Sequence, residues 1–325
     1  MGGTMAKALV LSGGAIKGAF QAGAICELFH RGFEPSGLYG ISTGALNAAF
    51  LADRAGAQLH NGPNIDWPGI GNELKRFWLD NVKVPADVAT QRSWFSIGWS
   101  VVNKTFDGLS DTSALRAIVA REISPDNVTR FVNGGNVFSV GAVDMYSGQI
   151  FYSENAAAPI RDLVLASAAI PFAFPAVRTR LGVIEGVMVD GGIRDIIPLQ
   201  RAIKKGFEDI VAVICQPKDF VGGLYAAGDV FRHVERILDI LLAEIMENDV
   251  ERTSEMIFLA RQAAANIPES HALRPFVTAS LPVLVRPDAM DPVLDVSITD
   301  FNQTHIAAMV AKGEEAVRRL PPFGR

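Results

Sequence analysis

The sequence predicts an α/β protein built on parallel strands joined by crossover helices. Three observations carry that prediction. Between residues 10 and 50 a short apolar strand, a glycine loop and a helix follow one another twice, the rhythm of βα units. Two later apolar runs, 183–189 and 210–215, flank a helix signal at 198–206 that has proline near its start and glycine at its end. Hydrophobic residues make up 49% of the 325, enough for a sizeable core, and no internal repeat, low-complexity tract or long linker divides them.

Taken in order, 8–11 reads as a buried strand and 18–30 as a helix that starts after a glycine turn. Residues 38–41 form a second strand and 44–52 a second helix. Helices follow at 66–81 and 111–122, the latter opened by a Ser-Asp-Thr-Ser cap. Residues 137–143 and 149–152 read as a hairpin around Met145-Tyr146-Ser147-Gly148, and 159–169 as a short helix stopped by Pro171. The strand 183–189 runs into Asp190-Gly191-Gly192, and 210–215 is another buried strand. From 229 to about 266 the pattern is helical, with Val234, Ile237, Leu238, Leu241, Leu242 and Ile245 recurring at three- and four-residue steps. A late strand at 281–285 and a terminal helix at 302–320 complete the chain.

A net charge of −5 without any Lys or Arg run carries no nucleic-acid footprint. Cys26 and Cys215 stand in apolar runs and read as buried free thiols. The first apolar run ends at once in glycines, so neither a signal peptide nor a membrane span is expected. A soluble intracellular protein is the default, and the sequons at Asn103, Asn127 and Asn302 then carry little meaning.

The first glycine loop invites a phosphate reading, but its spacing is wrong. Gly13 and Gly18 have the gap of a P-loop, yet Ala19-Phe20 follow where Lys-Ser/Thr is needed, and Lys17 precedes the glycine. A dinucleotide fingerprint needs a third glycine where Ala15 stands. The second loop, Gly40-Ile41-Ser42-Thr43-Gly44, is Gly-x-Ser-x-Gly between a strand and a helix. That context lifts a serine hydroxyl out of a tight turn at a helix N-terminus. The alternative is an ordinary glycine turn with a serine N-cap. A nucleophilic serine needs a base and an oxyanion hole. His30, His60, His233 and His271 occupy surface or structural positions, with His305 the best placed of the five for a triad. Asp190, at the end of an apolar strand with two glycines beside it, is the stronger partner, against the alternative of an Asp-Gly turn.

Together these motifs resemble the patatin-like phospholipase family: a glycine-rich loop after the first strand, Gly-x-Ser-x-Gly soon after, and Asp-Gly-Gly much later. The stretch Ala166-Ser167-Ala168-Ala169-Ile170-Pro171, then Phe174-Pro175, is similar to the block before the family's aspartate. The resemblance runs from about residue 8 to 199. It implies a three-layer α/β/α fold with a central, mostly parallel sheet. One domain would span 1–325, with the C-terminal elements of about 228–320 packed on the motif core. It also implies a Ser-Asp dyad, with Ser42 as nucleophile and Asp190 as base, and an oxyanion loop at Gly13, Gly14, Ala15 and Lys17. No metal or cofactor is required. Two departures from the pattern stand out: Ala15 replaces a glycine, where a positive φ would cost energy, and Lys17 replaces an arginine, losing its planar fork. Ile196 also replaces an asparagine often found after Asp-Gly-Gly.

The family hydrolyses fatty acyl esters of phospholipids, lysophospholipids or neutral lipids, which implies a lipid substrate and peripheral contact with a membrane from the cytoplasm. Trp94, Phe95, Trp99 and Phe106 form an aromatic segment with no clear period, read either as a lid or interfacial contact or as a core insert. Phe172 and Phe174, beside prolines, are candidates for an acyl channel or for the core. Acyl transfer to another acceptor, and non-catalytic lipid binding on the same fold, are the competing functions.

Overall fold

The computed structural model describes residues 6–104, 107–154, 159–182, 184–218, 230–288, 291–294, 296–298 and 300–322. The strands are β1 (Lys7–Leu11), β2 (Gly37–Gly40), β3 (Thr90–Gln91), β4 (Ser110–Asp111), β5 (Val137–Asp144), β6 (Ile150–Tyr152), β7 (Val177–Leu181), β8 (Ile184–Asp190), β9 (Asp209–Val213) and β10 (Val283–Val285). Within the described residues one sheet runs β10-β9-β1-β2-β5-β8-β7, with β6 also paired to β5, while β3 and β4 form a separate ribbon. From β10 to β5 every neighbour is parallel. The other pairs, β5-β6, β5-β8, β7-β8 and β3-β4, are antiparallel.

Alternation along the central strands builds the two cores that sandwich the sheet. Leu9 and Leu11 of β1, with Val211 and Val213 of β9, enter one core; Ala8 and Val10, with Ile210 and Ala212, enter the other. A parallel strand covered on both faces needs apolar residues at successive positions, which is why 8–11 and 210–215 read as unbroken apolar runs.

The helices are α1 (Gly18–His30), α2 (Thr43–Gln58), α3 (Trp67–Asn81), α4 (Trp94–Val102), α5 (Ser113–Glu122), α6 (Pro125–Asn133), α7 (Ile160–Ser167), α8 (Leu199–Lys204), α9 (Val230–Gln262), α10 (Arg274–Thr278) and α11 (Gln303–Arg318). Helices α1, α2, α3, α5, α6, α7 and α11 contribute to the first core, α8, α9 and α10 to the second. The result is a three-layer α/β/α fold around a mostly parallel sheet. The segments after residue 203 complete it, because β9 pairs with β1 and β10 with β9.

Several elements differ from the sequence reading. Helix α2 continues to Gln58, beyond the expected end at 52. Strand β7 was not anticipated, although Val177 and Thr179 point inward and Arg178 and Arg180 outward in a two-residue period. Helix α6 was also unforeseen; proline opens it and Val128 and Phe131 are its buried contacts. The aperiodic aromatic segment folds into α4. Ser100 is buried while Trp99, Val101 and Val102 are exposed, so the polarity there is the reverse of the usual apolar-in pattern.

Candidate active site

The loop between β2 and α2 is held by backbone contacts that admit no side chain at either glycine. A Cβ on Gly40 would stand 2.2 Å from the Gly44 carbonyl oxygen, and one on Gly44 would stand 2.4 Å from that of Leu11. Between them Ser42 has φ 56° and ψ −126°, a conformation that costs a non-glycine residue on the order of 1–3 kcal/mol. Ser42 occupies the N-cap position of α2 but its side chain makes no capping bond. It stands instead beside the Asp190 carboxylate, on the wall of the same cavity. Its backbone N–H donates to the buried Ser167 Oγ at 3.0 Å.

Asp190 closes β8, paired opposite Ala142 of β5. Its N–H donates to the Ala169 carbonyl at 2.9 Å, and its Oδ1 accepts the Gly192 N–H at 2.8 Å. Burial pushes its carboxyl up to about 7, against the opposing pull of the neighbouring Ser42 hydroxyl and of the Gly192 N–H. A carboxylate on that footing holds a proton near neutrality, as a general base must.

The glycine loop after β1 packs against both. The Gly13 N–H donates to the Ile196 carbonyl at 3.2 Å, and the Lys17 N–H donates to that of Gly14 at 3.0 Å. Two of the four residues expected to form an oxyanion hole thus spend their amides inside the protein. The amides of Gly14 and Ala15 have no acceptor among the described residues, and both residues line the space beside Ser42. Ala15 does adopt a positive φ, 48°. Gly14 must lack a side chain, since a Cβ there would sit 2.2 Å from the Cβ of Cys215. The Lys17 ammonium donates to Gln216 Oε1 at 3.1 Å. Gln21 and Ser12 brace the loop from beneath: Gln21 Nε2 donates to the Ser12 carbonyl, and Ser12 Oγ accepts the Cys215 N–H. Both cysteines are free and buried, and burial pushes the Cys215 thiol up to about 12.

Behind the loop after Asp190 lies a second acidic cluster. Asp249 of α9 accepts the Ile196 N–H at 3.3 Å, and Asp195 accepts a hydrogen bond from the Tyr152 hydroxyl. Burial first, then the neighbouring Asp195, pushes Asp249 up to about 7.

Two cavities meet at Ser42. The first, about 780 Å³, is walled by Leu46, Phe50, Leu74, Phe77, Trp78, Val82, Leu115, Val119 and Ile123. The second, about 1110 Å³, is a vestibule over Ser42 and Asp190, bordered by Gly13, Gly14, Lys17, Leu109, Gln216, Leu238, Asp239 and Leu242. Ala15, Ile16, Ser42, Ile170, Phe174 and Ile298 line both. Phe174 thus walls both cavities, whereas Phe172, at φ 66° and 66% exposed, lines neither. Trp99 is also exposed. Trp94 and Phe95 begin α4, with side chains outside the described residues, where Phe106 also lies. No described histidine lines either cavity, and His305 instead caps its own helix, Nδ1 accepting the Asn302 N–H. Among the described residues no cluster of His, Cys, Asp or Glu is arranged to hold a metal ion.

Sequence reasoning missed Ser167, the apolar residues of α2, α3 and α5, and the part played by Ile196. Ser167 stood in the quoted Ala-Ser-Ala-Ala-Ile-Pro block, so a signal was present. Leu46 and Phe50 stood at the four-residue steps from Ser42 that place them on one helix face.

The patatin-like phospholipase profile matches residues 9–203, which carry the glycine loop, Ser42 and Asp190. The uncharacterized protein YjjU of Escherichia coli (strain K12) is 28% identical over 245 residues, covering 71% of this chain and 57% of its own length. This chain therefore spans little more than half of that curated relative. The crystal structure of VipD from Legionella pneumophila aligns over 97% of this chain and 66% of its own, at 15% identity and a TM-score of 0.40. With well over half of its residues under the family profile, the chain belongs to the patatin-like phospholipase family.

Proposed function

We propose that the chain is a serine hydrolase of fatty acyl esters in lipids, with Ser42 as nucleophile and Asp190 as base. The observation that carries the reading is that Ser42, in a strained turn at the head of α2, and a buried carboxylate poised at about 7 line the same cavity. Asp190 takes the hydroxyl proton as Ser42 Oγ bonds to the ester carbon. The carbonyl electron pair moves onto oxygen, where the Gly14 and Ala15 amides donate to it. Collapse of this intermediate expels the alcohol, which takes the proton from Asp190. Water then gives a proton to Asp190 and attacks the acyl-enzyme; the fatty acid leaves and Ser42 recovers its proton.

The apolar first cavity suits the acyl chain, and the vestibule, with Lys17, Gln216 and Asp239, suits the polar remainder of the lipid. The apolar rim that Ile193, Leu238 and Leu242 give the vestibule suits an organic alcohol as acceptor, which makes transacylation the second reading. A histidine-dependent transferase gains no support from the positions of the described histidines.

Contact with a lipid surface falls to α4, whose Trp99, Val101 and Val102 are exposed. The ribbon that carries it brings Leu109 and Ser110 to the vestibule wall. No helix among the described residues is long and apolar enough to cross a membrane. The deciding experiment is a fluorophosphonate probe and a panel of phospholipids, lysophospholipids and acylglycerols, comparing the parent with Ser42→Ala. Labelling and fatty acid release should both vanish in the variant, and labelling that persists would overturn the assignment.

A further inference from the structure

The first cavity has a direction. Leu46 and Phe50 of α2, Leu115 and Ile118 of α5, and Leu74 and Phe77 of α3 supply its walls. Near Ser42, Trp78 of α3 donates its Nε1 to Asn47 of α2 at 2.9 Å, and Leu115 shares a crevice with Ala168 and Phe174. At the other end stands Arg54 of α2, one turn past Phe50, its guanidinium 4.2 Å over the Phe50 ring. It donates to Glu73 Oε2 of α3 at 3.1 Å, to Glu122 Oε2 of α5 at 2.6 Å, to the Glu122 carbonyl at 3.0 Å and to Asp53 Oδ2 at 2.6 Å. One side chain therefore ties together the three helices that wall the cavity, and Glu122 itself lines it.

We propose that this cavity is an acyl-chain ruler whose floor is the Arg54–Glu122 cluster, a proposal that rests on Ser42 being the nucleophile. Arg54 follows Ser42 by twelve residues, which at about 1.5 Å per residue sets the floor about 18 Å along the helix axis. An all-trans chain with bonds of about 1.5 Å advances about 1.3 Å per carbon, so about fourteen carbons fill that length. A longer chain drives methylenes against paired charges, stripping their water without offering a hydrogen bond in return. The preferred substrates are accordingly lipids with medium to moderately long acyl groups.

The test is a series of p-nitrophenyl esters: butyrate, octanoate, dodecanoate and palmitate. For the parent, kcat/KM rises through dodecanoate and drops at palmitate. The double variant Arg54→Ala with Glu122→Ala removes both charges of the floor. The Asp53 side chain, 4% exposed, loses its ion partner but keeps its bonds from the Ser124 N–H and Asn127, and the Glu73 side chain is 41% exposed, so the double variant is destabilised chiefly at Asp53. Its palmitate-to-dodecanoate ratio rises on the order of tenfold, the scale of a methylene or two in an apolar pocket. Ile118→Phe narrows the tube midway and lowers the dodecanoate-to-butyrate ratio by on the order of tenfold; it decides the matter should the double variant not fold. If Ser42→Ala is inert and both ratios stay at parental values, the ruler alone is wrong. If Ser42→Ala hydrolyses the esters as the parent does, the nucleophile assignment fails and the ruler with it.

Discussion

The Ser42 side chain makes no capping bond to α2 and stands instead beside the buried Asp190 carboxylate, on the wall of the same cavity. A serine kept for capping would point the other way and would relax its backbone. Replacement by glycine should therefore relieve strain that replacement by alanine retains. We expect Ser42→Gly to exceed Ser42→Ala in stability by about 1 kcal/mol in urea unfolding, with neither labelled by a fluorophosphonate. An alanine variant as stable as the glycine variant would show that the turn is not strained.

Asp190→Asn should lower kcat by about 10²–10⁴, the range for losing a positioned general base. The parent's rate should climb with pH through about 7, since only the ionised carboxylate takes the serine proton. Stability should move the opposite way. The carboxyl binds its proton at about 7 in the folded chain and at about 3.9 when unfolded. Across that window the folded state holds more protons, so its stability falls as pH rises. Asn removes this dependence and should be the more stable protein at about pH 8, with its advantage gone by about pH 4. Unfolding curves at several pH values check the sign.

Gly14→Ala brings a methyl within 2.2 Å of the Cys215 Cβ, which displaces the loop bearing the Gly14 and Ala15 amides. Hydrolysis should drop by about 10²–10³, the loss typical of one oxyanion donor. Adding Cys215→Gly removes the obstructing atoms and should recover much of that loss. A single variant with parental kcat would exclude these amides from the reaction.

Trp99→Ser should reduce hydrolysis of phospholipid vesicles several-fold more than hydrolysis of a short soluble ester, because Trp99 is 65% exposed and lines neither cavity. The loss belongs to the interfacial step, where a buried aromatic side chain contributes on the order of 1.5–3 kcal/mol. Equal loss on both substrates would mark α4 as part of the scaffold.

Much of this architecture was legible from the sequence because it depends on local signals. The buried central strands, the helix 18–30 and the loops around Ser42 and Asp190 each carry glycines or apolar runs that permit few other conformations. Which amides of the first glycine loop are engaged was not legible. Gly13 loses its amide to Ile196, a residue 183 positions later in the chain, and no periodicity foretells such a partner. The floor of the first cavity was hidden for a similar reason, since Arg54, Glu73 and Glu122 stand on three separate helices that only the fold brings together. Helix α4 escaped because it buries Ser100 and exposes Trp99, Val101 and Val102, the reverse of the usual pattern.

Ile196 has a consequence for how the chain can be divided. Its carbonyl holds the Gly13 amide and its own amide is held by Asp249, so a single residue joins the first loop, the segment after Asp190 and α9. The stretch recognised by the family profile ends at residue 203, before Asp249, before β9 and before the Val213 carbonyl that accepts the Ser12 N–H. A fragment cut there would expose the long edge of β1 to other chains and leave the first loop without its bonds to Val213, Cys215 and Gln216. The span that identifies the lineage is thus shorter than the span that can stand as a protein. Libraries, fusions or chimeras built on this scaffold should keep everything through α11.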